Sequence, residues 1–218
     1  MSQGEPASQG NANRRVQMLR AAAEVMSERG FAETRIADVA ARAGASSPLV
    51  IYYFGTKDRL LLDALRYSEK SLFEQVAQMM ADVPTVRERL SMLIRWTCLP
   101  HETDLIPAIW GLWLDLWAQA IRHAEVARGR AELDDRWRSV IAEIVETGRR
   151  DGDIGDVDAR RFAITFAALL DGLSIQVALS DAEVSGDTAY EIAMGFVERE
   201  LALTVAPAER LRRVSTGS

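Results

Sequence analysis

The chain is poor in cysteine, and it contains no long apolar run. Cys98 is the one cysteine among 218 residues, which excludes an internal disulfide and a zinc site built from cysteines. Because no run of about 18 consecutive apolar residues occurs, we expect no membrane-spanning segment. The first thirteen residues are polar and lack the apolar core of a signal peptide. Together these absences predict a cytoplasmic protein.

The charge of the chain is unevenly distributed. Residues 1–70 contain 10 Lys or Arg and 8 Asp or Glu, whereas residues 71–218 contain 16 and 24. The net charge of −6 therefore comes from the second part of the chain. Since phosphate repels an acidic surface, only the first part is suited to face nucleic acid.

Apolar residues recur every three or four positions along almost the whole chain, a spacing typical of helices. We predict an all-α fold of about nine helices. They cover about residues 12–29, 34–44, 47–53, 57–80, 85–99, 107–123, 126–150, 157–180 and 187–205. Thr34, Ser46 or Ser47, and Thr56 are the predicted N-caps of the second, third and fourth helices, and the residues from Thr85 to Glu88 form a capping box.

The segment from residue 34 to residue 57 has the layout of a helix-turn-helix. Two short helices flank a turn in which Gly44 can adopt a positive φ, and Ala40 is small where the helices cross. The second helix of such a pair enters the major groove of DNA. Hydroxyl and ammonium groups would bind phosphate oxygens, and Pro48 and Leu49 would contact thymine methyl groups. The candidate DNA-binding residues are Thr34, Arg35, Ser46, Ser47, Pro48, Leu49, Tyr52, Tyr53 and Lys57.

An alternative interpretation of this segment stays open. Aromatic residues at the end of a short helix commonly belong to the core, and Lys57 is also compatible with an ordinary surface position.

The segment resembles the signature of the TetR family of transcriptional regulators. The resemblance lies in Val39-Ala40, in Ala43-Gly44-Ala45-Ser46, in the run from Val50 to Phe54, and in Thr56-Lys57. Two positions depart from the family pattern: Ile51 stands where the family usually has Tyr, and Leu49 stands where it often has Thr or a smaller residue. The resemblance implies a homodimer that binds double-stranded DNA, usually as a repressor.

The second part of the chain resembles the branch of this family with a BetI-type C-terminal domain, which is named for a choline-responsive repressor. The resemblance lies in the run from Trp113 to Ala118, in Trp137-Arg138 and in the run from Gly152 to Ile154. The two resemblances together imply a DNA-binding domain at 12–72 with the helix-turn-helix at about 35–54, a ligand-binding and dimerisation domain at 73–206, and a tail at 207–218. The polar composition of residues 1–11 predicts a disordered arm before them. The family resemblance also implies that ligand shifts the fourth helix and so releases DNA.

The last two helices carry apolar stripes that we expect at the dimer interface. The family resemblance implies a four-helix interface from this region, with the small Gly172 allowing close approach. The candidate interface residues are Phe162, Phe166, Leu169, Leu170, Leu173, Val177, Ile192, Phe196 and Leu203. The alternative is that these side chains form the protomer's own core.

Four tryptophans are candidates for an aromatic ligand pocket, although core packing is the competing interpretation. Trp110, Trp113 and Trp117 share one helix face, and Trp96 lies on the preceding helix. If Glu102, Asp104 or Asp115 lies beside them, the pocket would favour a cation. The identity of the small-molecule effector stays open.

Two other classes of function compete with DNA binding. An enzyme would use His101, His123 or Cys98, but none of these lies in a nucleophile elbow, a phosphate-binding loop or a metal-ligand spacing. A helical scaffold for a protein partner is the second alternative. We therefore predict no catalytic residue, no metal and no cofactor.

Overall fold

The computed structural model describes residues 6–99 and 106–203, and within these ranges it contains nine α-helices and no strand. The helices are α1 (Pro6–Glu33), α2 (Ile36–Arg42), α3 (Ser47–Phe54), α4 (Lys57–Ala81), α5 (Val86–Cys98), α6 (Ile106–Ala120), α7 (Ala124–Asp151), α8 (Ala159–Ala178) and α9 (Gly186–Glu200). The predicted all-α fold is confirmed.

The start of α1 differs from the prediction. The helix begins at Pro6, so residues 6–11 are helical where their polar composition predicted a disordered arm. Asn11 provides a physical reason, because its side-chain oxygen accepts a hydrogen bond from the Tyr53 hydroxyl of α3. At its other end α1 is interrupted at Gly30, where φ is 82° and ψ is 168°. Gly30 thus ends the long part of α1, and one more helical turn follows it.

Most of the predicted helix caps are confirmed. The hydroxyl oxygens of Ser46, Thr56 and Thr85 each accept a hydrogen bond from the backbone N–H three residues later. Thr34 is the exception. Arg35 occupies the N-cap position of α2 and makes no side-chain cap bond, and the buried Thr34 hydroxyl donates to the Gly30 carbonyl at 2.7 Å.

The chain forms two compact units, and each unit is built from two separate stretches of sequence. The first unit comprises Met1–Met79 and Ala108–Asp134. Its described core is built from the inward faces of α1 to α4, completed by Leu116 of α6 and by Val126 and Leu133 of α7. At the α4–α7 contact, a Cβ added to Gly129 would lie 2.6 Å from a methyl carbon of Leu62, so the absence of a side chain allows this approach.

The second unit comprises Met80–Pro107 and Asp135–Ser218, and α5, α8 and α9 pack against one another within it. Its core contains three aromatic rings: Phe166 lies 5.4 Å from Phe162 and 6.0 Å from Phe196 between ring centroids. Buried Cys98 of α5 contacts Ser174 of α8, with 3.3 Å between sulfur and oxygen. The predicted domain boundaries are not tested by this division and stay a prediction.

Among the described helices, α8 alone is long and apolar enough to cross a membrane by length and composition. The sequence analysis did not single it out, because polar residues interrupt its apolar runs. The buried side of α8, which includes Phe162, Phe166 and Leu170, lies in the core of the second unit. Core packing therefore accounts for much of its apolar character.

Candidate nucleic-acid interface

Helix α3 has two distinct faces. Val50 and Phe54 are buried and fix the inner face, four residues apart on one side of the helix. Pro48, Ile51 and Tyr52 lie on the other side and are exposed, Ile51 by 48% and Tyr52 by 81%. The outward face is thus short, largely apolar and tipped by one phenol hydroxyl.

The turns at the two ends of α3 require glycine. Gly44 precedes the helix with a φ of 59°, and Gly55 follows it with a φ of 77°. These values lie in the left-handed region, which glycine adopts without steric cost. Ser46 satisfies one of the free N–H groups at the helix start by accepting from Leu49 N at 3.4 Å. The geometry is that of the helix-turn-helix predicted from the sequence.

The two tyrosines of α3 have different surroundings. Tyr52 projects outward, whereas the half-buried Tyr53 packs against the core of the first unit and donates its hydroxyl hydrogen to Asn11. Their rings meet edge to face, with 5.6 Å between centroids. Tyr53 therefore helps to fix α3 against the start of α1. The Tyr52 hydroxyl is exposed to solvent and free of the core.

Like Ser46 and Tyr53, the predicted DNA contacts Thr34 and Lys57 form side-chain hydrogen bonds within the chain itself. Thr34 has no exposed surface, so its hydroxyl cannot reach a phosphate, and we correct that prediction. The Lys57 ammonium donates to the Ala32 carbonyl at 2.7 Å, at the end of the turn that follows Gly30. Lys57 thus caps this turn, a contact that its position in the sequence did not indicate.

The remaining predicted contacts lie at or near the surface. Arg35, Ser46 and Pro48 are exposed, and Ser47 and Leu49 are half-buried. The structure adds Ile51, which sequence reasoning treated only as a missing hydroxyl. The exposure of Ile51 could have been predicted from its position in α3, one residue after buried Val50 and on the same side as Pro48.

The predicted dimer stripe of α8 is mostly core. Phe162, Phe166, Leu170 and Leu173 are buried within the single chain, which corrects their assignment to an interface. Their side of α8 packs in the core with α5 and α9. Of the other predicted residues, Ile192 is exposed, and four are half-buried: Leu169, Val177, Phe196 and Leu203.

Exposed apolar and small residues also occur on another side of α8, and Ile192 of α9 is exposed as well. Ile164 of α8 and Leu179, its C-cap, are exposed by 47% and 70%, and Ala168 and Gly172 lie between them in the sequence. A Cβ added to Gly172 would meet no atom within 4 Å. We call the exposed residues Ile164, Ala168, Gly172, Leu179 and Ile192 the α8–α9 face.

The tryptophans of the predicted pocket fall in both units. Trp96, in the second unit, lies edge to face with Trp137 at 6.3 Å between ring centroids, a partner that the sequence analysis did not propose. Trp113 and Trp117 are half-buried residues of α6 in the first unit, where Trp113 packs against the core. The side chain of Trp110 lies outside the described residues, as do Glu102 and Asp104.

Asp115 of α6 contacts the DNA-binding segment. One of its carboxylate oxygens accepts a hydrogen bond from Ala32 N at 3.3 Å. The same oxygen lies 2.6 Å from the position that a Cβ on Gly30 would occupy. One carboxylate oxygen of Asp115 is therefore engaged by the turn after Gly30, a contact that the sequence did not indicate.

Of the three residues considered for catalysis, the structure describes Cys98 and His123. Burial raises the pKa of the Cys98 thiol above its ordinary value, against smaller opposing effects of hydrogen bonds to Ser174 and Thr97. The reactive thiolate form is thus disfavoured. His123 is exposed in the turn between α6 and α7, and His101 lies outside the described residues. Within residues 6–99 and 106–203, no group of three His, Cys, Asp or Glu side chains is placed to hold a metal ion.

Comparison with known proteins matches both parts of the chain to family models. Residues 18–64 match the model of bacterial regulatory proteins of the tetR family, and residues 86–202 match the model of the C-terminal part of BetI-type transcriptional repressors. The HTH-type transcriptional regulator BetI of Stenotrophomonas maltophilia is 30% identical over 189 residues, which cover 86% of this chain and 93% of that protein. BetI 1 of Chromohalobacter salexigens is 29% identical over 89% of this chain and 94% of its own length.

Two solved structures have the same fold. A transcriptional regulator of Saccharomonospora viridis, solved in complex with choline, is 30% identical with a TM-score of 0.69, over 86% of this chain and 96% of that one. A TetR-family transcriptional regulator of a Rhodococcus species is 26% identical with a TM-score of 0.73, over 87% of this chain and 99% of that one.

Proposed function

Because the chain belongs to the TetR family of transcriptional regulators, with a BetI-type C-terminal domain, we propose that it represses transcription by binding a palindromic operator as a homodimer, which a small molecule releases. The ligand-responsive, DNA-binding character is that of the family. The proposed site of action is the cytoplasm, where the operator DNA lies.

The observation that carries the proposal is the outward face of α3. Pro48 and Ile51 are apolar and suited to the methyl groups of thymine in the major groove. The Tyr52 hydroxyl and the exposed Arg35 are suited to phosphate oxygens, which set the register without reading sequence. Ser46, Ser47 and Leu49 stay in the proposed contact set at the start of the helix, whereas Thr34 leaves it.

The α8–α9 face supports the proposed dimer. A single helix-turn-helix reads one half-site, and two-fold dimers place two reading helices about 34–36 Å apart. Exposed Ile164 and Leu179 supply apolar area, and Ala168 and Gly172 let a partner helix approach closely. We propose that this face pairs with its copy in a second chain, since two-fold interfaces use one patch on both subunits.

We propose a quaternary ammonium compound of the choline class as the effector. The support is the 30% identical regulator solved with choline, together with aromatic side chains in the part of this chain that matches the BetI-type model. Faces of Trp rings attract cations, and Trp96 and Trp137 lie edge to face in the second unit. Trp110, Trp113 and Trp117 of α6, in the first unit, stay candidate ligand-binding residues.

The first experiment measures operator binding by the full chain. Fluorescence anisotropy with labelled duplex from upstream of its own gene, repeated over a salt series, should show affinity that falls steeply as salt rises. Tyr52→Phe should weaken binding to all sequences alike, because it removes a phosphate contact, whereas Ile51→Ala should relax preference at one base-pair position.

Exposed Ile121, in the turn after α6, offers a matched control for Ile51. Ile121→Ala should leave affinity and preference unchanged. Absence of specific binding, or equal effects of the substitutions at positions 51 and 121, would contradict the proposed reading face.

The second experiment tests the effector. Choline is titrated to millimolar concentration while tryptophan fluorescence, melting temperature and operator affinity are followed. We expect a higher melting temperature, because a ligand that binds only the folded state stabilises it, and weaker operator binding. No change in any of the three would exclude choline while leaving DNA binding intact.

A further inference from the structure

The turn between α1 and α2 is stabilised by side chains from two other helices. Gly30 interrupts α1, so the residues after it begin a new helical turn whose first N–H groups have no carbonyl in the preceding turn. The Asp115 carboxylate of α6 accepts from Ala32 N at 3.3 Å. The Lys57 ammonium of α4 donates to Ala32 O at 2.7 Å. Both polar backbone groups of Ala32 are thus bound from outside the turn.

The geometry around Gly30 makes the Asp115 contact specific. A Cβ at position 30 would lie 2.6 Å from the Asp115 carboxylate oxygen, and the positive φ of Gly30 already disfavours a side chain. The Thr34 hydroxyl bonds back to the Gly30 carbonyl, which closes the turn on itself. A carboxylate is favoured at this point, because the start of a helical turn presents partially positive N–H groups.

Helix α6 belongs by sequence to the BetI-type C-terminal domain, which the family model matches over residues 86–202. Its residues from Ala108 onward nevertheless belong to the same compact unit as the helix-turn-helix. The Asp115 bond is therefore a direct connection from the sensing domain to the α1–α2 turn. It does not pass through α4, the route that the family resemblance implied.

We propose that Asp115 is the positioning residue that couples α6 to the DNA-binding head by holding the α1–α2 turn through the main chain of Ala32. A displacement of α6 moves the Asp115 carboxylate, and the turn moves with it. Because α2 starts directly after this turn, at Ile36, the orientation of α2 and α3 changes too. The proposal rests on the proposed function, for which it supplies a route of regulation.

The test uses operator DNA as its probe, because coupling between two sites is reciprocal. If Asp115 couples α6 to the head, DNA bound at α3 changes the hydrogen–deuterium exchange of residues 106–120 in the wild-type chain. Asp115→Asn keeps an acceptor oxygen and should keep this change. Asp115→Leu has similar volume and no acceptor, so the change should disappear, and exchange of the α1–α2 turn should accelerate without DNA.

Glu33 provides the matched control. It is an exposed carboxylate in the same turn, and Glu33→Ala should behave as wild type in every arm. Retention of the DNA-induced change in Asp115→Leu, or its loss in both Asp115 variants, would overturn the proposal. Failure of the wild-type chain to bind DNA would instead refute the proposed function, so the two failures are distinguishable.

Choline provides a second, independent test of the role of Asp115. In the wild-type chain and in Asp115→Asn we expect choline to weaken operator binding by a factor in the range of about 5 to 150, which is typical of allosteric coupling. In Asp115→Leu the ratio of dissociation constants with and without choline should approach 1. A ratio in Asp115→Leu equal to that of the wild type would contradict the role of Asp115.

Discussion

Both compact units combine buried apolar side chains with ion pairs, but the contacts inside each unit also differ in kind. In the first, side chains bind main-chain groups, as Lys57 and Asp115 do at Ala32, and ion pairs such as Arg59–Glu125 join α4 to α7. In the second, the rings of Phe162, Phe166 and Phe196 lie against one another. Directional polar contacts are easily exchanged for others, whereas a close-packed apolar core has one arrangement. The bonds to the main chain of Ala32 thus suit the α1–α2 turn to the switching proposed above, whereas the packed rings suit the second unit to a constant framework.

The largest effect should come from removing the most deeply buried of the three phenylalanine rings of the second unit. Phe166→Ala deletes a fully buried side chain that contacts the rings of Phe162 and Phe196, which should lower the free energy of unfolding by about 3–5 kcal/mol. Urea denaturation measures it. Thr165→Ala, at the exposed neighbouring position, should change stability by no more than about 0.5 kcal/mol. Comparable losses of unfolding free energy at positions 165 and 166 would show that the apolar core is not the main source of stability in this unit.

Two helical glycines test packing in the first unit. Substitution of one by alanine should lower the free energy of unfolding, and substitution of the other should raise it. In Gly129→Ala the new Cβ would lie 2.6 Å from a methyl carbon of buried Leu62, and such overpacking costs about 1–3 kcal/mol. In Gly111→Ala the Cβ meets nothing within 4 Å, so better helix propensity should stabilise the chain by about 0.5–1 kcal/mol. Thermal unfolding distinguishes them, and stabilisation by Gly129→Ala would refute the close α4–α7 contact.

A charge on the α8–α9 face should weaken the proposed dimer. Ile164→Asp places a carboxylate on an apolar interface, and we expect at least about a tenfold higher dimer dissociation constant, equal to about 1.4 kcal/mol. Analytical ultracentrifugation measures it. Ile121→Asp alters an isoleucine of the first unit that is exposed by 86% and should leave the dimer intact. If position 164 behaves like position 121, the pairing surface lies elsewhere.

The smallest effect should come from an exposed ion pair of the first unit. The Arg59–Glu125 pair is short, 2.6 Å between nitrogen and oxygen, but the arginine side chain is 63% exposed. Solvent screens such pairs, so a double-mutant cycle with Arg59→Gln and Glu125→Gln should give a coupling energy smaller than each of the effects above. High salt should reduce it. A much larger, salt-independent value would mean that ion pairs contribute more to this unit than packing does.

The course of the helices could be predicted from the sequence because its signals are local. Spacing of apolar residues marks the helices, Gly30 and Gly55 mark two ends, and the hydroxyls of Ser46 and Thr85 mark two beginnings. These residues act on backbone groups within a few positions. The start of α1 could not be predicted in this way, because the contact between Asn11 and Tyr53 joins residues 42 positions apart.

Which face of α8 meets which neighbour could not be predicted either. The helix has apolar residues on more than one side, so periodicity cannot distinguish buried Phe166 from exposed Ile164. The DNA-binding residues could be predicted in part: Pro48 and Tyr52 of α3 are exposed as expected, whereas Thr34, which precedes α2, is buried. The partners of Lys57 and Asp115 could not be predicted, because both bind the main chain of Ala32 and no side chain marks that target.

This last feature has a consequence for how homologous sequences vary. Hydrogen bonds to the backbone of residue 32 do not depend on its side chain, so several small residues are compatible with them at this position. Positions 30 and 115, however, share one space, since a Cβ on residue 30 would collide with the Asp115 carboxylate. In an alignment of close homologues we therefore expect positions 30 and 115 to covary, with glycine at 30 accompanying an acidic or amide residue at 115, while position 32 drifts.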